Sequence, residues 1–318
     1  MKTEMIKAAI LAFAIFAIYL FESILLVSRV LSRLKIIPRR KRGRAFRIAA
    51  ICLHVVAAAG ILCALYAVLI EPRWIEVVNV DVPTERLKHA TLTVAQISDL
   101  HCDAARCNED EVVRIINDLR PDIIVFTGDA VNSPEGLPLF RDTLSRLKAN
   151  IGKFAVRGNV DRNYSDEELV GGTGFQMLND KHMVCTKDGE SFCITGISEK
   201  YIGQAHAVLS RAHLHAGRDT FTIFLHHYPH LVDDVYPGFV DLSLSGHTHG
   251  GQIALPFYGA VMTFSPAGKK YERGAYHTRG ALLYVNRGIG TENTPVRARF
   301  LARPEITVFH IHPAAAGN

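Results

Sequence analysis

Two long apolar runs open the chain, roughly Ala8 to Val27 and Ile48 to Ile70, each broken by one strongly polar residue: Glu22 in the first, His54 in the second. Each has about the 20 residues a helix needs to cross a hydrocarbon core of about 30 Å. Neither carries the short apolar core and small-residue cleavage site of a secretory signal. The pattern predicts a two-helix transmembrane hairpin over residues 1–75, and a second region over 76–318 in which the period changes. There, short apolar runs of strand length fall at 76–82, 90–97, 122–126, 153–156, 220–225, 240–244, 281–285 and 305–311. Helical periodicity appears at 109–119, 137–148 and 204–211, and Lys187-Asp188-Gly189-Glu190 marks a hairpin turn. Strands alternating with helices, then a strand-rich second half, predict an α/β layered domain built on mixed sheets.

Charge sharpens the hairpin. The formal net charge is +5, but Arg29, Arg33, Lys35, Arg39, Arg40, Lys41, Arg42, Arg44 and Arg47 all lie between the two runs, with no acidic residue among them. Without these nine, 27 basic residues face 31 acidic ones. The basicity is therefore local and does not indicate nucleic-acid binding. Basic residues in short loops are retained on the cytoplasmic side, so the loop at 28–47 is expected to be cytoplasmic. The chain is then an integral inner- or cell-membrane protein, with everything after Ile70 on the non-cytoplasmic side.

The six cysteines add little. An Asp188-Gly189 turn pairs Val184 with Cys193, which leaves Cys185 and Cys193 offset rather than opposite, and no Cys-x-x-Cys pair with zinc-site spacing is present. No disulfide is assigned.

The chemistry lies at strand ends. An apolar strand runs into Asp99-Leu100-His101; the next ends in Gly128-Asp129, and another in Gly158-Asn159. A further strand ends in His226-His227-Tyr228-Pro229, and the last enters Gly246-His247-Thr248-His249-Gly250. Singly, Gly-Asp and Gly-Asn are ordinary turns and an Asp after a strand is an ordinary helix cap. Repeated five times, the pattern delivers carboxylate, amide and imidazole groups to the carboxyl edge of a sheet, where open α/β sheets bind ligands.

This series resembles the calcineurin-like metallophosphoesterase superfamily over essentially the whole chain after Thr91. The Gly246–Gln252 stretch, Leu255-Pro-Phe-Tyr-Gly259, Asn286–Thr291 and Pro304–Thr307 resemble its membrane-associated bacterial branch, which includes exported phosphoesterases and a UDP-2,3-diacylglucosamine hydrolase. The resemblance implies a four-layer α/β/β/α sandwich of two mixed sheets and two divalent metal ions. One ion would take Asp99, His101 and His249, the other Asn159, His227 and His247, with Asp129 bridging them. Of the adjacent pair, His227 is assigned as ligand because the family's ligand lies two residues before a proline. Two such ions would activate a shared water for in-line attack on phosphorus.

Two positions depart from the family. The histidine that usually follows Gly-Asn and protonates the leaving group is replaced by Val160, and Asn132 stands where aspartate is usual. A general acid contributes roughly 10²–10⁴ in rate, so its loss points to diesters or pyrophosphates rather than alkyl monoesters. Asp161, Arg162, Arg157 and His226 are candidate substrate contacts. The expected protein is a membrane-tethered dimetal hydrolase of a lipid-linked or envelope phosphoester. Two alternatives are a metal-binding, catalytically weak binding module, and a membrane-interaction protein working through its basic loop.

Overall fold

The computed structural model describes the chain except residues 1, 39, 40, 42, 199–202, 293–296 and 316–318. Arg39, Arg40 and Arg42 of the basic loop thus lie outside the described residues. Helix α1 (Lys2–Arg33) and helix α2 (Arg44–Leu65) run antiparallel, and α2 continues through a wider turn (Tyr66–Ile70) to Arg73. Both are long and apolar enough to cross a membrane. Neither is packed as a core helix would be: Ile10, Phe13, Phe16, Phe21, Val55 and Leu62 are all exposed. The two polar interruptions meet, since His54 Nδ1 lies 2.6 Å from Glu22 Oε1, and Tyr19 donates to the Ala57 carbonyl at 3.1 Å.

The end of α2 is bonded to the domain that follows. Glu71 is fully buried and its carboxylate accepts from the amides of Leu301 (2.9 Å) and Ala302 (2.6 Å). The Arg299 amide donates to the Ala67 carbonyl, and Asn108 Nδ2 to that of Pro72.

Two six-stranded mixed sheets follow. The strands are β1 (Glu76–Thr84), β2 (Leu92–Ile97), β3 (Ile123–Phe126), β4 (Gly152–Ala155) and β5 (Phe175–Met177), then β6 (Lys181–Lys187), β7 (Glu190–Gly196), β8 (Phe221–Leu225) and β9 (Leu242–Ser245). A small ribbon of β10 (Ala254–Leu255) and β11 (Gly259–Ala260) precedes β12 (Gly274–His277), β13 (Leu282–Val285) and β14 (Glu305–Pro313). One sheet has the order β1-β14-β2-β3-β4-β5, the other β12-β13-β9-β8-β7-β6.

Side-chain alternation builds the layers. In β3, Ile123 and Val125 face the second sheet, while Ile124 and Phe126 face the helices α3 (Glu109–Leu119) and α4 (Leu137–Arg146). In β8, Phe221, Ile223 and Leu225 enter the inter-sheet core, while Phe224 packs with Val208 and Leu209 of α6 (Ala205–Ala216), which follows the short helix α5 (Asp166–Val170) in the chain. The result is the α/β/β/α sandwich.

Most predicted elements are found within two or three residues, and the hairpin register pairs Val184 with Cys193 as expected. Helix α4 ends two residues early because Leu147 turns to an extended backbone, φ −73°, ψ 137°. The short strands β5, β10, β11 and β12 fall outside the predicted runs. Strands β1 and β2, neighbours in sequence, are not partners: β14 lies between them, parallel to β1 and antiparallel to β2.

Candidate metal centre

The carboxyl ends of β2, β3, β4, β8 and β9 bring the strand-end groups together. Asp99, His101 and His249 form one buried triad, and Asp129, His227 and His247 another, each with its ligand atoms within 4.8 Å of one another. Asp129 stands between them: its Oδ2 is 3.2 Å from His227 Nε2 and 3.6 Å from His101 Nε2. His249 Nε2 lies 3.3 Å from Asp99 Oδ1 and 3.2 Å from His101 Nε2. Asn159 Oδ1 joins the second group, 3.1 Å from His227 Nε2.

The backbone is bent to achieve this convergence. Asp99, His101, Asp129, His247 and His249 all have positive φ, between 43° and 73°, a region that non-glycine residues seldom occupy and that clusters at functional sites. The glycines of the motifs clear space for the same turns. A Cβ at Gly158 would occupy the position of Asp129 Oδ1, and one at Gly246 would meet Ser98 Oγ and Asp99 Oδ2.

Outer contacts fix the rings. His227 Nδ1 donates to the Thr127 carbonyl at 2.8 Å, which turns its Nε2 toward Asp129. The His247 amide donates to Asp99 at 3.1 Å. Burial pushes the Asp99 carboxyl up to about 7, with Asp129 adding to it and His227 opposing. Burial also acts on Asp129, but the adjoining His227 and His101 outweigh it and hold that carboxyl well below the usual range. His227 shows the reciprocal effect: burial depresses it, and Asp129 more than compensates, to about 10. Burial drives His247 down to about 3 and His101 and His249 in the same direction. Three neutral imidazoles, two buried carboxylates, and a His247 Nε2 that is buried with no hydrogen-bond partner make a donor set that fits divalent cations.

Residues 92–251 match the calcineurin-like phosphoesterase family. The Bacillus subtilis metallophosphoesterase YkuE is 37% identical over 264 residues, covering 77% of this chain and 88% of that protein. The chain belongs to the calcineurin-like phosphoesterases. It is also similar to the Chlamydia trachomatis UDP-2,3-diacylglucosamine pyrophosphatase LpxG, 28% identical over 325 residues (80% of this chain, 94% of that one). A Danio rerio transmembrane protein with a metallophosphoesterase domain is 26% identical over 313 residues, 92% of this chain and 69% of that protein.

Two of the substrate contacts expected for this phosphoesterase are corrected by their surroundings. Asp161 is fully buried, and its carboxylate accepts from the amides of Asp129, Ala130 and Gly158, each at 2.8 Å. It ties the Gly-Asp turn to the Gly-Asn turn and leaves no face for a ligand. His226 is also fully buried, with Nδ1 bonded to the Tyr228 carbonyl and Nε2 to Ser243 Oγ, both at 2.7 Å; it is structural. Arg157 pairs with Asp166 at 2.5 Å. Arg162 is exposed, and its Nε donates to the Asn159 carbonyl. Val160 donates its amide to Asp129 Oδ1 at 3.1 Å, so the position keeps its backbone role without a proton-transferring side chain. Asn132 bonds the carbonyls of His101 (2.8 Å) and Thr291 (3.2 Å).

Sequence reasoning missed three neighbours. Tyr228 packs edge-on to His247, ring centroids 4.5 Å apart. Arg299, fully buried, lies 3.3 Å from His249 Nδ1. Glu292 has its carboxyl raised by burial and by the Asp129 charge. Each follows or precedes a motif, but none carries a local signal of its own.

Proposed function

We propose that this protein is a membrane-tethered dimetal hydrolase that cleaves a phosphodiester or pyrophosphate bond of a lipid-linked or envelope substrate. The observation that carries the reading is the placement of Asp129 Oδ2 between two buried triads. Asp99, His101 and His249 would hold one ion; Asn159, His227 and His247 the other; Asp129 both. Such ions lower the pKa of water and neutralise charge on phosphoryl oxygens. Asp99 and Asp129 would supply the negative charge that retains the cations, and the Thr127 carbonyl, by accepting from His227 Nδ1, would keep Nε2 turned toward the ion. Val160 offers the leaving group no proton, which favours substrates whose leaving oxygen is already a good one.

Residues 1–75 are read as the membrane hairpin and 76–318 as the catalytic domain, in line with the similarity to a transmembrane relative over 92% of the chain. The basic loop favours a non-cytoplasmic catalytic domain. The pyrophosphatase activity of the Chlamydia relative supports a lipid-linked pyrophosphate as substrate class. A UDP-linked precursor, however, is met on the cytoplasmic side, so the orientation favours an envelope phosphate instead. Reporter fusions after Glu71 test that orientation.

The test of activity uses full-length protein in detergent. Two divalent ions per chain are expected, with turnover of bis-p-nitrophenyl phosphate or a prenyl pyrophosphate that disappears in Asp129→Asn and His247→Ala. Two bound ions without turnover of any diester, pyrophosphate or lipid phosphate would sink the enzyme reading. That outcome would leave the second reading, a metal-stabilised binding module, which Val160 favours.

A further inference from the structure

The turn that carries His247 and His249 leads straight into the β10–β11 ribbon and on to Phe264, and this segment has an apolar outer surface. Phe257 is fully exposed, Phe264 is 49% exposed, and Leu301 on a neighbouring loop is 42% exposed. All three have left-handed backbones, φ 64°, 53° and 54°. Among the described non-glycine residues with positive φ they are the only bulky apolar ones; the others are polar or charged. A large apolar side chain in a disfavoured backbone conformation is retained when its position serves something, and here the fold itself gains little from covering it.

The position is shared with both apolar helices. Phe257, Leu255 and Leu301 line one cavity of about 420 Å³ together with Tyr66 of the α2 extension, and Phe300 meets the Tyr66 ring edge-on at 6.2 Å. On the other side, Lys7 near the start of α1 lies 5.5 Å from the centre of the Tyr258 ring. The segment therefore borders the starting end of α1 and the finishing end of α2, which lie together because the hairpin is antiparallel. Trp74, half exposed just after α2, carries the Arg303 guanidinium over its ring at 4.1 Å. Lys269 sits 3.8 Å over Tyr258. Exposed aromatics flanked by long basic side chains at the end of an apolar helix match the composition of a bilayer interface.

We propose that Phe257, Phe264, Leu301 and Trp74 form a foot that enters the head-group boundary of the bilayer and sets the metal centre at the level of lipid phosphates. The occupant of this surface is the membrane itself, because the foot continues the apolar surface of the two helices. The link to the site runs along the chain: the β10–β11 ribbon begins at Ala254, five positions after His249. A metal centre held at that height takes a phosphoester presented by a lipid anchored in the same leaflet. The proposal rests on the spanning reading of α1 and α2, and its test does not depend on turnover.

Brominated phosphatidylcholine quenches tryptophan at acyl-chain depth. In a Trp74→Phe background, which removes the sole native tryptophan, F257W and F264W are compared in nanodiscs of brominated and plain phosphatidylcholine. Leu214→Trp, at an exposed position of α6, serves as the distant reference and Ile61→Trp, within α2, as the embedded one. Side chains roughly 5–10 Å below the interface predict about a 2-fold or greater loss of emission for F257W and F264W, and none for L214W. Circular dichroism matching the parent confirms folding of each variant. Emission from both F257W and F264W unchanged alongside L214W, while I61W is quenched, overturns the foot and leaves the spanning reading intact. An unquenched I61W removes the spanning reading and the foot with it.

Discussion

Glu22 and His54, the lone strongly polar residues of the apolar runs 8–27 and 48–70, are each other's partners at 2.6 Å. Arg29 approaches the other ring nitrogen of His54 at 2.5 Å. On the spanning reading of the hairpin, an unpaired member would face hydrocarbon, so the pair fixes the register in which α1 and α2 lie side by side. Polar contacts of this kind average ~0.6 kcal/mol and reach about 1.7 kcal/mol in membrane bundles. E22A and H54A are each expected to destabilise the protein to mild denaturant in detergent by about 1 kcal/mol. E22A/H54A should cost less than their sum. Strict additivity in that double-mutant cycle would show that the contact does not couple the helices.

Asp161 lies outside the two triads yet shapes both. Its two oxygens accept three buried amides, including that of Asp129 itself. Asp161→Ala strands those donors at about 1–3 kcal/mol for each unsatisfied group. A loss of about 3 kcal/mol or more is expected in chemical denaturation, together with lower metal occupancy. Asp161→Asn keeps one carbonyl acceptor and should fall between the two. A substrate-binding role would instead raise KM in D161N with stability unchanged.

That correction shows what sequence reading reaches and where it stops. The five strands announce themselves as short apolar runs, and the run Phe221–Leu225 sets the His226-His227 pair at a strand end; choosing His227 took the proline spacing that the resemblance implies. The motif glycines were legible too, since a side chain at Gly158 or Gly246 would collide with a ligand carboxylate. Asp161 and His226 looked like substrate contacts because a short-range pattern reports only that a polar group is near the site. Two of the amides that Asp161 accepts, those of Asp129 and Ala130, lie at the end of β3, and the Ser243 that bonds His226 lies in β9. The same limit hid the position of β14, whose pairing with β1 and β2 spans more than 200 residues, and Arg299, which reaches His249 across the sequence.

Glu190 gives a pH signature away from the metal centre. Its carboxylate accepts from the amides of Ala90 (2.7 Å), His89 (3.0 Å) and Lys88 (2.7 Å), clasping the β1–β2 connection to the β6–β7 turn. The Ala90 and His89 amides pull it from 4.5 to about 2. A carboxyl depressed in the folded state stabilises above its unfolded pKa and loses that contribution as pH falls through the folded value. Thermal melting of Glu190→Gln should therefore lie below the parent at pH 7. The gap should narrow only below about 4.5, closing toward pH 2. A gap independent of pH would assign the effect to packing instead of charge.

Val160 bears on substrate choice. Its amide donates to Asp129 Oδ1, so a substitution that keeps the backbone preserves this bond while changing the proton-transfer capacity of the side chain. A histidine there restores a group able to protonate a leaving oxygen. Alkyl leaving groups need that proton; p-nitrophenolate does not. V160H is expected to raise turnover of a methyl or glyceryl phosphodiester by about 10²-fold or more, the lower part of the range for general acids. Turnover of bis-p-nitrophenyl phosphate should change far less. The ratio of the two rates is the measurement, and metal content is checked alongside it. If both rates moved together, the side chain at 160 would be acting on metal retention or packing, and the preference for good leaving groups would need another cause.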